Sequence, residues 1–383
     1  MRLVADENIP LLDDFFAPFG DIVRLPGRAI DRAALIDADI LLVRSVTPVT
    51  PALLRGTPVR FVGTCTIGTD HLDLPGLAAV GVSVASAPGC NARGVVEYVL
   101  SCLLTLAERT GESWRDRTVG IVGIGEVGGR LASTLEALGV RCLRCDPPRA
   151  ERGEAGLHRL DELIAGADVI SCHVPLTRVG GHPTFHLFDQ ARLLALRPGA
   201  WLINSSRGSV LDSQALATVL QERPDLQVVL DVWEHEPEAD PALARLCALV
   251  TPHIAGYSLD GKLRGTEQIY RALCEHLQQP PGIFLQALAP AAGRASVQFS
   301  ADTPAEWILA RALRWVYDVR DDDARMRHML ETATSPAGIR AGFDRLRKHY
   351  PLRREASLLD IAGTDNFSQE AVSLLRAAGF TIP

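Results

Sequence analysis

The sequence predicts an α/β fold that contains two doubly wound parallel sheets. Short apolar segments alternate with helical patterns over residues 1–94 and again over residues 118–254. This alternation is typical of parallel strands joined by helices that cover both faces of a sheet. A glycine-rich turn between an apolar strand and a helix stands at the start of the second region. We therefore expect two separate sheets, each with its own helices.

Each predicted strand is a short apolar run bounded by polar, glycine or proline residues. In the first region the predicted strands are Arg2–Ala5, Asp21–Leu25, Ile40–Val43, Val59–Gly63 and Val82–Ser86. In the second region they are Val119–Val122, Cys142–Cys145, Val169–His173, Trp201–Asn204, Val228–Asp231 and Ala248–Val250. A long apolar helix, Val95–Arg109, joins the two regions, and a later helix, Thr266–Gln278, returns the chain to the first region.

The turn after the strand Val119–Val122 has the pattern Gly-x-Gly-x-x-Gly. Gly123 permits a tight turn, Gly125 lets the backbone approach a pyrophosphate, and Gly128 lets the helix pack close to the strand. The free N–H groups at the start of that helix then bind the phosphates. Asp146 ends the next strand, where its carboxylate can accept hydrogen bonds from both ribose hydroxyls of an adenosine and would repel the 2′-phosphate of NADP. These features in this order predict a Rossmann-like domain that binds NAD.

The composition excludes several classes of function. The 383-residue chain has a formal net charge of −7 and a pI near 5.8, so we expect no nucleic-acid partner. The first residues, Met1–Glu7, have no signal-peptide h-region, and the apolar segment Val95–Ala107 is too short to span a bilayer. We therefore expect a cytoplasmic protein without membrane contact. The eight cysteines stand in apolar contexts, and even the Cys142-x-x-Cys145 pair predicts neither a disulfide nor a metal site.

The chain changes character after the proline- and glycine-rich stretch Gln279–Gly282. Helices are predicted at Pro304–Val319, from Asp321 onward and at Ala341–His349, and short strands are predicted at Ser357–Ile361 and Phe380–Ile382. This smaller α+β domain shows no cluster of residues suited to catalysis. The predicted domains are residues 1–94 with 258–284 for substrate binding, 95–257 for NAD and 285–383 at the C-terminal end. We expect a cleft between the first two.

Polar residues stand just past three strands of the second sheet, where a doubly wound sheet binds its ligands. Arg207 follows the fourth strand and offers a rigid fork for a carboxylate. Asp231 ends the fifth strand, where it can bind the nicotinamide side of a cofactor, and Glu236 in the following loop can pair with a histidine. His253 follows the sixth strand, and histidine is the side chain best suited to shuttle a proton near neutral pH. These residues predict oxidation of an alcohol by hydride transfer.

Together these residues and motifs resemble the D-2-hydroxyacid dehydrogenase family over residues 1 to about 280. The resemblance implies that Arg207, Glu236 and His253 form the catalytic set. The histidine is the acid and base, the glutamate pairs with it, and the arginine binds the α-carboxylate and the carbonyl group. The resemblance also implies NAD as cofactor, with contacts from Gly123, Gly125, Val127, Gly128, Asp146, Val174, Ser206, Asp231 and Gly256. Val174 stands where related sequences often carry threonine. Valine offers no hydroxyl contact to the cofactor there, but the backbone can still serve.

Further motifs narrow the resemblance to one branch of the family, whose 2-hydroxy acid substrate also carries a phosphate. These motifs lie at residues 1–10, 43–49, 62–72, 88–99, 145–149 and 253–262. By resemblance Ser45, Thr66 and Tyr257 contact this small anionic substrate, and the C-terminal domain forms a homodimer. A substrate with two anionic groups needs two cationic anchors. Arg207 serves the carboxylate, and the candidates for the phosphate are Arg44, Arg93, Lys262 and Arg264.

Two alternatives stay open at this point. One is another enzyme of the same family that acts on a shorter phosphorylated hydroxy acid. The other is a non-catalytic NAD sensor or corepressor, since this fold has been reused in that way. An intact set of Arg207, Glu236 and His253 favours an enzyme.

Overall fold

The computed structural model describes residues 1–290, 297–300, 302–359 and 361–382. The strands are β1 (Arg2–Asp6), β2 (Asp21–Leu25), β3 (Ile40–Val43), β4 (Phe61–Thr64), β5 (Ser83–Ala85), β6 (Val119–Val122), β7 (Cys142–Cys145), β8 (Val169–Cys172), β9 (Trp201–Asn204), β10 (Gln227–Leu230) and β11 (Leu249–Val250). The α-helices are α1 (Leu12–Phe16), α2 (Pro51–Leu54), α3 (Leu74–Ala79), α4 (Ala92–Thr110), α5 (Glu126–Ala137), α6 (Pro147–Glu151), α7 (Leu160–Gly166), α8 (Gln190–Leu194), α9 (Ser213–Glu222), α10 (Pro241–Leu246), α11 (Leu259–His276), α12 (Leu285–Leu288), α13 (Ala305–Val316), α14 (Val319–Thr332), α15 (Pro336–Lys348) and α16 (Gln369–Ala377). All the strands predicted up to residue 254 are present, and their ends differ from the prediction by at most two residues.

The chain forms two compact units, Met1–Asn91 with Ser258–Ala291, and Ala92–Tyr257 with Ala292–Pro383. The first unit contains a parallel sheet in the order β2-β1-β3-β4-β5. Leu3 and Ala5 of β1 point into one apolar core, which also holds Ile269 of α11, and Val4 points into another. This period of two is what a strand covered on both faces requires.

The second unit contains a six-stranded parallel sheet in the order β11-β10-β9-β8-β6-β7. The strands β7 and β8 flank β6 on opposite sides, so the chain order reverses beside β6. Ligands of doubly wound sheets bind at such a reversal, outside the carboxyl ends of the strands. The fold therefore places the glycine-rich turn, which follows β6, at the expected binding position.

The C-terminal helices α13 to α16 belong to the second unit and pack on both faces of its sheet. Leu309 of α13 and Leu375 of α16 belong to the core that contains Val99 of α4. Met329 of α14 and Phe343 of α15 belong to the core on the opposite face. The finer prediction, that residues 285–383 form a domain of their own, stays a prediction.

The two short strands predicted near the C-terminal end are wrong within the described residues. Ala356–Leu358 is a turn of 3-10 helix, Ile361 forms only an isolated bridge with Val297, and residue 360 lies outside the described residues. Residues 380–382 contain a single bridge position instead of a strand. At the start of this 3-10 turn, the N–H of Ala356 donates to the carboxylate of Glu97 (2.8 Å), so the chain enters the predicted segment bound to a side chain of α4.

Within the described residues, no helix combines the length and the apolar character needed to cross a bilayer. The same residues contain no group of His, Cys, Asp and Glu side chains suited to hold a metal ion. None of the eight cysteines forms a disulfide, and all except the partly buried Cys142 are buried.

Candidate active site

Most of the predicted site residues lie at the carboxyl ends of the strands of the six-stranded sheet. The glycine-rich turn follows β6, Asp146 follows β7 and Val174 follows β8. Ser206 and Arg207 follow β9, Asp231 follows β10, and His253, Gly256 and Tyr257 follow β11. Parallel strands bring these loops to one edge although they are far apart in the chain.

The three glycines of the turn have the three environments that the motif predicts. Gly123 has a φ of +90°, which favours glycine. A Cβ on Gly128 would lie 1.9 Å from the carbonyl oxygen of Gly123, so helix α5 and the turn are in direct backbone contact. A Cβ on Gly125 would meet no atom within 4 Å, and Gly125 is the residue that precedes α5. The turn thus leaves space for a phosphate at the helix N-terminus, which fits NAD.

The side chain of Asp146, which follows strand β7, is hydrogen-bonded to this turn and to helix α6. One oxygen accepts a hydrogen bond from the N–H of Ile124 (2.9 Å), and the other caps helix α6 through the N–H of Arg149 (3.1 Å). The carboxylate therefore has a defined orientation beside the glycine-rich turn. Its predicted contact with the ribose hydroxyls stays a prediction.

The loop after β9 is organised by Asn204. Its side-chain oxygen accepts hydrogen bonds from the N–H (3.1 Å) and the hydroxyl (2.8 Å) of Ser206, and its amide donates to the carbonyl of Arg207 (2.9 Å). A Cβ on Gly208 would overlap the backbone of Trp233, so the loop after β9 lies against the loop after β10. These bonds fix the backbone of Ser206 and Arg207. The side chain of Arg207 is therefore carried by a rigid loop at the carboxyl end of β9.

His253 and Glu236 form a direct pair. The Nδ1 atom of His253 lies 2.7 Å from Oε2 of Glu236, and both side chains are partly exposed. The second carboxylate oxygen accepts a hydrogen bond from the N–H of Trp233 (2.9 Å). With Nδ1 engaged by the carboxylate, Nε2 is the ring nitrogen that can accept a proton from a substrate.

Opposing effects act on the pKa of Glu236. Burial alone would raise this pKa, but the neighbouring His253, the positive charge of Arg347 and the N–H of Trp233 together hold it below its usual value. The carboxylate is therefore ionised at neutral pH and can stabilise a positively charged imidazole.

The segment 251–257, named here the catalytic turn, is held from the sheet side by Asp231. This buried carboxylate accepts hydrogen bonds from the hydroxyl of Thr251 (2.7 Å) and from the N–H groups of Ile254 (2.8 Å) and Ala255 (3.0 Å). The structure thus shows Asp231 as an organiser of the turn, a role that its place at a strand end does not reveal. Its predicted contact with the nicotinamide side of the cofactor stays a prediction.

The remaining predicted cofactor residues lie around the same edge. Val127, in the first turn of α5, is partly buried against the core. Val174 is half-buried and lies against Gly123, where its side chain would meet an added Cβ at 2.8 Å. Ser206 is buried in its loop, and Gly256 is half-buried within the catalytic turn.

The first unit holds the other predicted substrate residues. Arg44 and the exposed Ser45 follow β3, and Thr66 follows the neighbouring strand β4, with its hydroxyl 2.8 Å from that of Thr64. Arg264 donates from Nε to the carbonyl of Cys90 (2.9 Å). Arg44, Ser45 and Thr66 thus lie just past the carboxyl ends of two paired strands of that unit.

Arg93, the remaining phosphate candidate, belongs to the second unit and makes internal contacts. Its Nε lies 3.1 Å from the carboxylate of Glu97, and its Nη2 donates to the carbonyl of Ala378. Arg93 is thus engaged with both Glu97 and Ala378, and its predicted role as a phosphate ligand stays a prediction.

Two arginines that the sequence did not single out reach the catalytic turn from the C-terminal segment. Arg347 of α15 donates from Nε to the hydroxyl of Tyr257 (3.1 Å), and Arg353 donates to the carbonyl of Ala255 (3.2 Å). No local pattern marks either residue, since both belong to a run of basic side chains at residues 345–354.

Comparison with known proteins identifies the family. Residues 104–255 match the NAD binding domain of the D-isomer specific 2-hydroxyacid dehydrogenases, and residues 288–379 match a domain of unknown function. Among solved structures, the chain is similar to 3-phosphoglycerate dehydrogenase of Entamoeba histolytica (TM-score 0.63, 22% identity, 73% of this chain and 95% of that one). It is also similar to D-lactate dehydrogenase of Aquifex aeolicus (TM-score 0.60, 23% identity, 73% and 96%). These structures share the fold.

Curated relatives cover the whole chain at higher identity. Erythronate-4-phosphate dehydrogenase of Pseudomonas syringae pv. tomato is 58% identical over 379 residues, which are 99% of each chain. The enzyme of the same name from Pseudomonas aeruginosa is 58% identical over 363 residues, 94% of this chain and 95% of that one. The motifs at residues 1–10 and 253–262 predicted this branch of the family, and the relatives confirm it. The chain therefore belongs to the D-isomer specific 2-hydroxyacid dehydrogenases, and within them to the erythronate-4-phosphate dehydrogenases.

Proposed function

We propose that this NAD-dependent dehydrogenase oxidises the 2-hydroxyl group of 4-phospho-D-erythronate. The product is (3R)-3-hydroxy-2-oxo-4-phosphooxybutanoate, and the reaction belongs to pyridoxal 5′-phosphate (vitamin B6) biosynthesis. The observation that carries the chemistry is the 2.7 Å pair of His253 and Glu236 at the sheet edge that also bears Arg207 and the glycine-rich turn. The substrate is taken from the name of relatives that are 58% identical over the full length.

In this mechanism Nε2 of His253 takes the proton of the 2-hydroxyl group. Glu236 stabilises the resulting imidazolium through the bond to Nδ1 and keeps the ring in one orientation. Arg207 holds the α-carboxylate and polarises the oxygen of the forming ketone. Bound NAD supplies the hydride acceptor. The N–H groups at the start of α5 and the open face of Gly125 would hold its pyrophosphate.

We assign the remaining contacts as follows. Asp146 binds the adenosine ribose, and Asp231 and Gly256 lie on the nicotinamide side of the cofactor. Ser45, Thr66 and Tyr257 contact the substrate, and Arg44, beside Ser45, is our first candidate for its phosphate, with Lys262 and Arg264 as alternatives. Residues 1–94 with 258–284 act as the substrate domain, residues 95–257 as the NAD domain, and residues 285–383 as a dimerisation domain of a cytoplasmic homodimer.

The test is the formation of NADH from 4-phospho-D-erythronate by the purified protein, with and without an added 2-keto acid that could recycle bound NADH. We expect turnover by the wild type and its loss in His253→Ala. A preference for 3-phosphoglycerate over the longer acid would assign the protein to a different enzyme of the family. Tight binding of NAD without turnover of either acid would favour a sensor or corepressor.

A further inference from the structure

The catalytic turn is contacted by the C-terminal segment as well as by the sheet. Asp231 holds the turn from the sheet side through Thr251, Ile254 and Ala255. On the other side the turn contacts residues of α15 and of the segment that follows this helix. Both lie within residues 288–379, which match a domain of unknown function. The active-site loop is thus shared between two parts of the chain that are about a hundred residues apart.

Arg353 ties the turn to the start of α4. Its side chain is buried, and it donates to the carbonyls of Ala255 (3.2 Å) and Gly94 (2.5 Å). The guanidinium also lies 3.5 Å from the carboxylate of Glu97 and 3.8 Å above the ring of Tyr317. A buried arginine with these partners has one available position, so it restrains the carbonyl that it binds.

Arg347 contacts the other end of the turn. Its Nε donates to the hydroxyl of Tyr257, and its guanidinium lies 5.6 Å from the centre of the same ring. The ring of Tyr350 meets Tyr257 edge-on at 5.6 Å. The positive charge of Arg347 also lowers the pKa of Glu236. Burial, which raises this pKa, and His253, which lowers it, have larger effects. One side chain therefore touches the proposed substrate residue and influences the His253 partner.

The backbone of the turn explains why such restraints are needed. His253 has a φ of +58°, in the left-handed region, which is unfavourable for a non-glycine residue. A residue stays in this conformation only when its surroundings hold it there. We propose that Arg347 and Arg353 are positioning residues, through which the C-terminal segment holds the catalytic turn in the conformation that presents His253 to the substrate. This inference rests on the proposed role of His253 as the base.

The first test compares Arg347→Gln with Arg347→Lys and with Arg345→Gln, a matched control on the exposed face of the same helix. Arg347→Gln should lower kcat/KM for 4-phospho-D-erythronate by about 10-fold or more, mainly through KM. The acid limb of its kcat/KM profile should move to higher pH, because a neutral side chain no longer opposes a proton on the Glu236–His253 pair. Arg347→Lys should restore the acid limb but not KM, since lysine keeps the charge and loses the planar fork. Arg345→Gln should stay within about 2-fold of the wild type.

Several other titratable groups surround this cluster, and they are unchanged in all these variants. Asp344 of α15 lies close enough to Arg347 to affect its pKa, the ring of Tyr350 meets that of Tyr257, and Asp231 accepts a hydrogen bond from the N–H of Ile254. In the loop after β10, Glu234 is paired with His186 (2.6 Å). A shift seen in Arg347→Gln and absent from Arg345→Gln is therefore due to the Arg347 charge.

A measurement without substrate separates this inference from the proposed function. The side-chain carboxyl signal of Glu236 can be titrated by NMR in the NAD-bound protein. Its midpoint should move to higher pH in Arg347→Gln and not in Arg345→Gln, because Arg347 lowers this pKa. Equal midpoints, or equal kinetics of these two variants, would overturn the role of Arg347 whichever acid is the substrate. Failure of the wild type to turn over 4-phospho-D-erythronate would overturn only the proposed function.

Arg353 is tested by Arg353→Lys, which keeps a charge opposite Glu97 but cannot bind Gly94 and Ala255 with the same fork. We expect kcat to fall about 10-fold while far-UV circular dichroism stays that of the folded protein. An unchanged kcat in this folded variant would overturn the role of Arg353.

Discussion

The glycine-rich turn allows a prediction that separates folding from cofactor binding, because two of its glycines have opposite surroundings. In Gly128→Ala the new Cβ would lie 1.9 Å from the carbonyl oxygen of Gly123, where real Cβ contacts keep at least 3.0 Å. Helix α5 must therefore move by about 1 Å against β6, and overpacking of this kind costs about 3 kcal/mol. The Tm should fall by roughly 6–12 °C in a unit of this size.

Gly125→Ala should behave in the opposite way. Gly125 has φ −78° and ψ −151°, which alanine adopts without strain, and its Cβ would meet nothing within 4 Å. The Tm without NAD should stay the same or rise slightly, because the unfolded chain loses entropy. The methyl group would occupy the space proposed for the pyrophosphate, so the Kd for NAD should rise at least about 10-fold, or about 1.4 kcal/mol.

Thermal unfolding with and without NAD, together with calorimetric titration of NAD, measures both effects. Bound NAD should raise the Tm of Gly125→Ala less than that of the wild type at equal NAD concentration. The reasoning would be refuted if Gly125→Ala bound NAD like the wild type, or if Gly128→Ala unfolded at the wild-type temperature.

Other predictions concern charge and pH. Glu236→Gln replaces the charged partner of His253 by a neutral one, so kcat should fall about 10- to 100-fold; an unchanged kcat in steady-state assays would contradict the pairing role. The pKa of Glu236 is lowered on balance in the folded protein. The ionised carboxylate therefore stabilises the fold at pH values above its unfolded-state pKa, and this stabilisation is lost as the pH falls through its folded-state pKa. The Tm of Glu236→Gln should accordingly fall less in acid than that of the wild type. Burial lowers the pKa of His173 to about 4, so its NMR signals should remain those of neutral imidazole down to that pH. The unfolded chain takes up this proton near 6.5, so stability should be lost as pH falls from 6.5 towards 4, and signals that titrate near 6.5 in the folded protein would contradict this. Asp231→Asn places an amide against donors such as the N–H of Ile254. We expect the free energy of unfolding, measured by thermal unfolding, to fall by about 1–3 kcal/mol and kcat to be lower. Wild-type values of both would show that the catalytic turn needs no carboxylate.

Much of the fold could be predicted because its signals are local. Apolar runs such as Val119–Val122 and Trp201–Asn204 are strands buried on both faces, and such strands read as continuous apolar segments. The C-terminal segment was harder, since short apolar runs do not separate strand from helix. The helix α16 was not predicted. The predicted strand Ser357–Ile361 overlaps the 3-10 turn Ala356–Leu358, whose first N–H binds Glu97, a residue far away in the chain.

The sequence by itself determined which residues stand at the ends of the strands and therefore which chemistry is possible. The spacing of Gly123, Gly125 and Gly128 already required a tight turn, an open phosphate site and a close helix contact, because these properties depend on a few neighbouring backbone atoms. Only the tertiary structure decided that Asp231 organises the catalytic turn and that Arg347 and Arg353 reach that turn from the C-terminal segment. The reason is physical: a hydrogen bond between residues about a hundred positions apart depends on the packing of whole helices, and no local pattern of side chains encodes it.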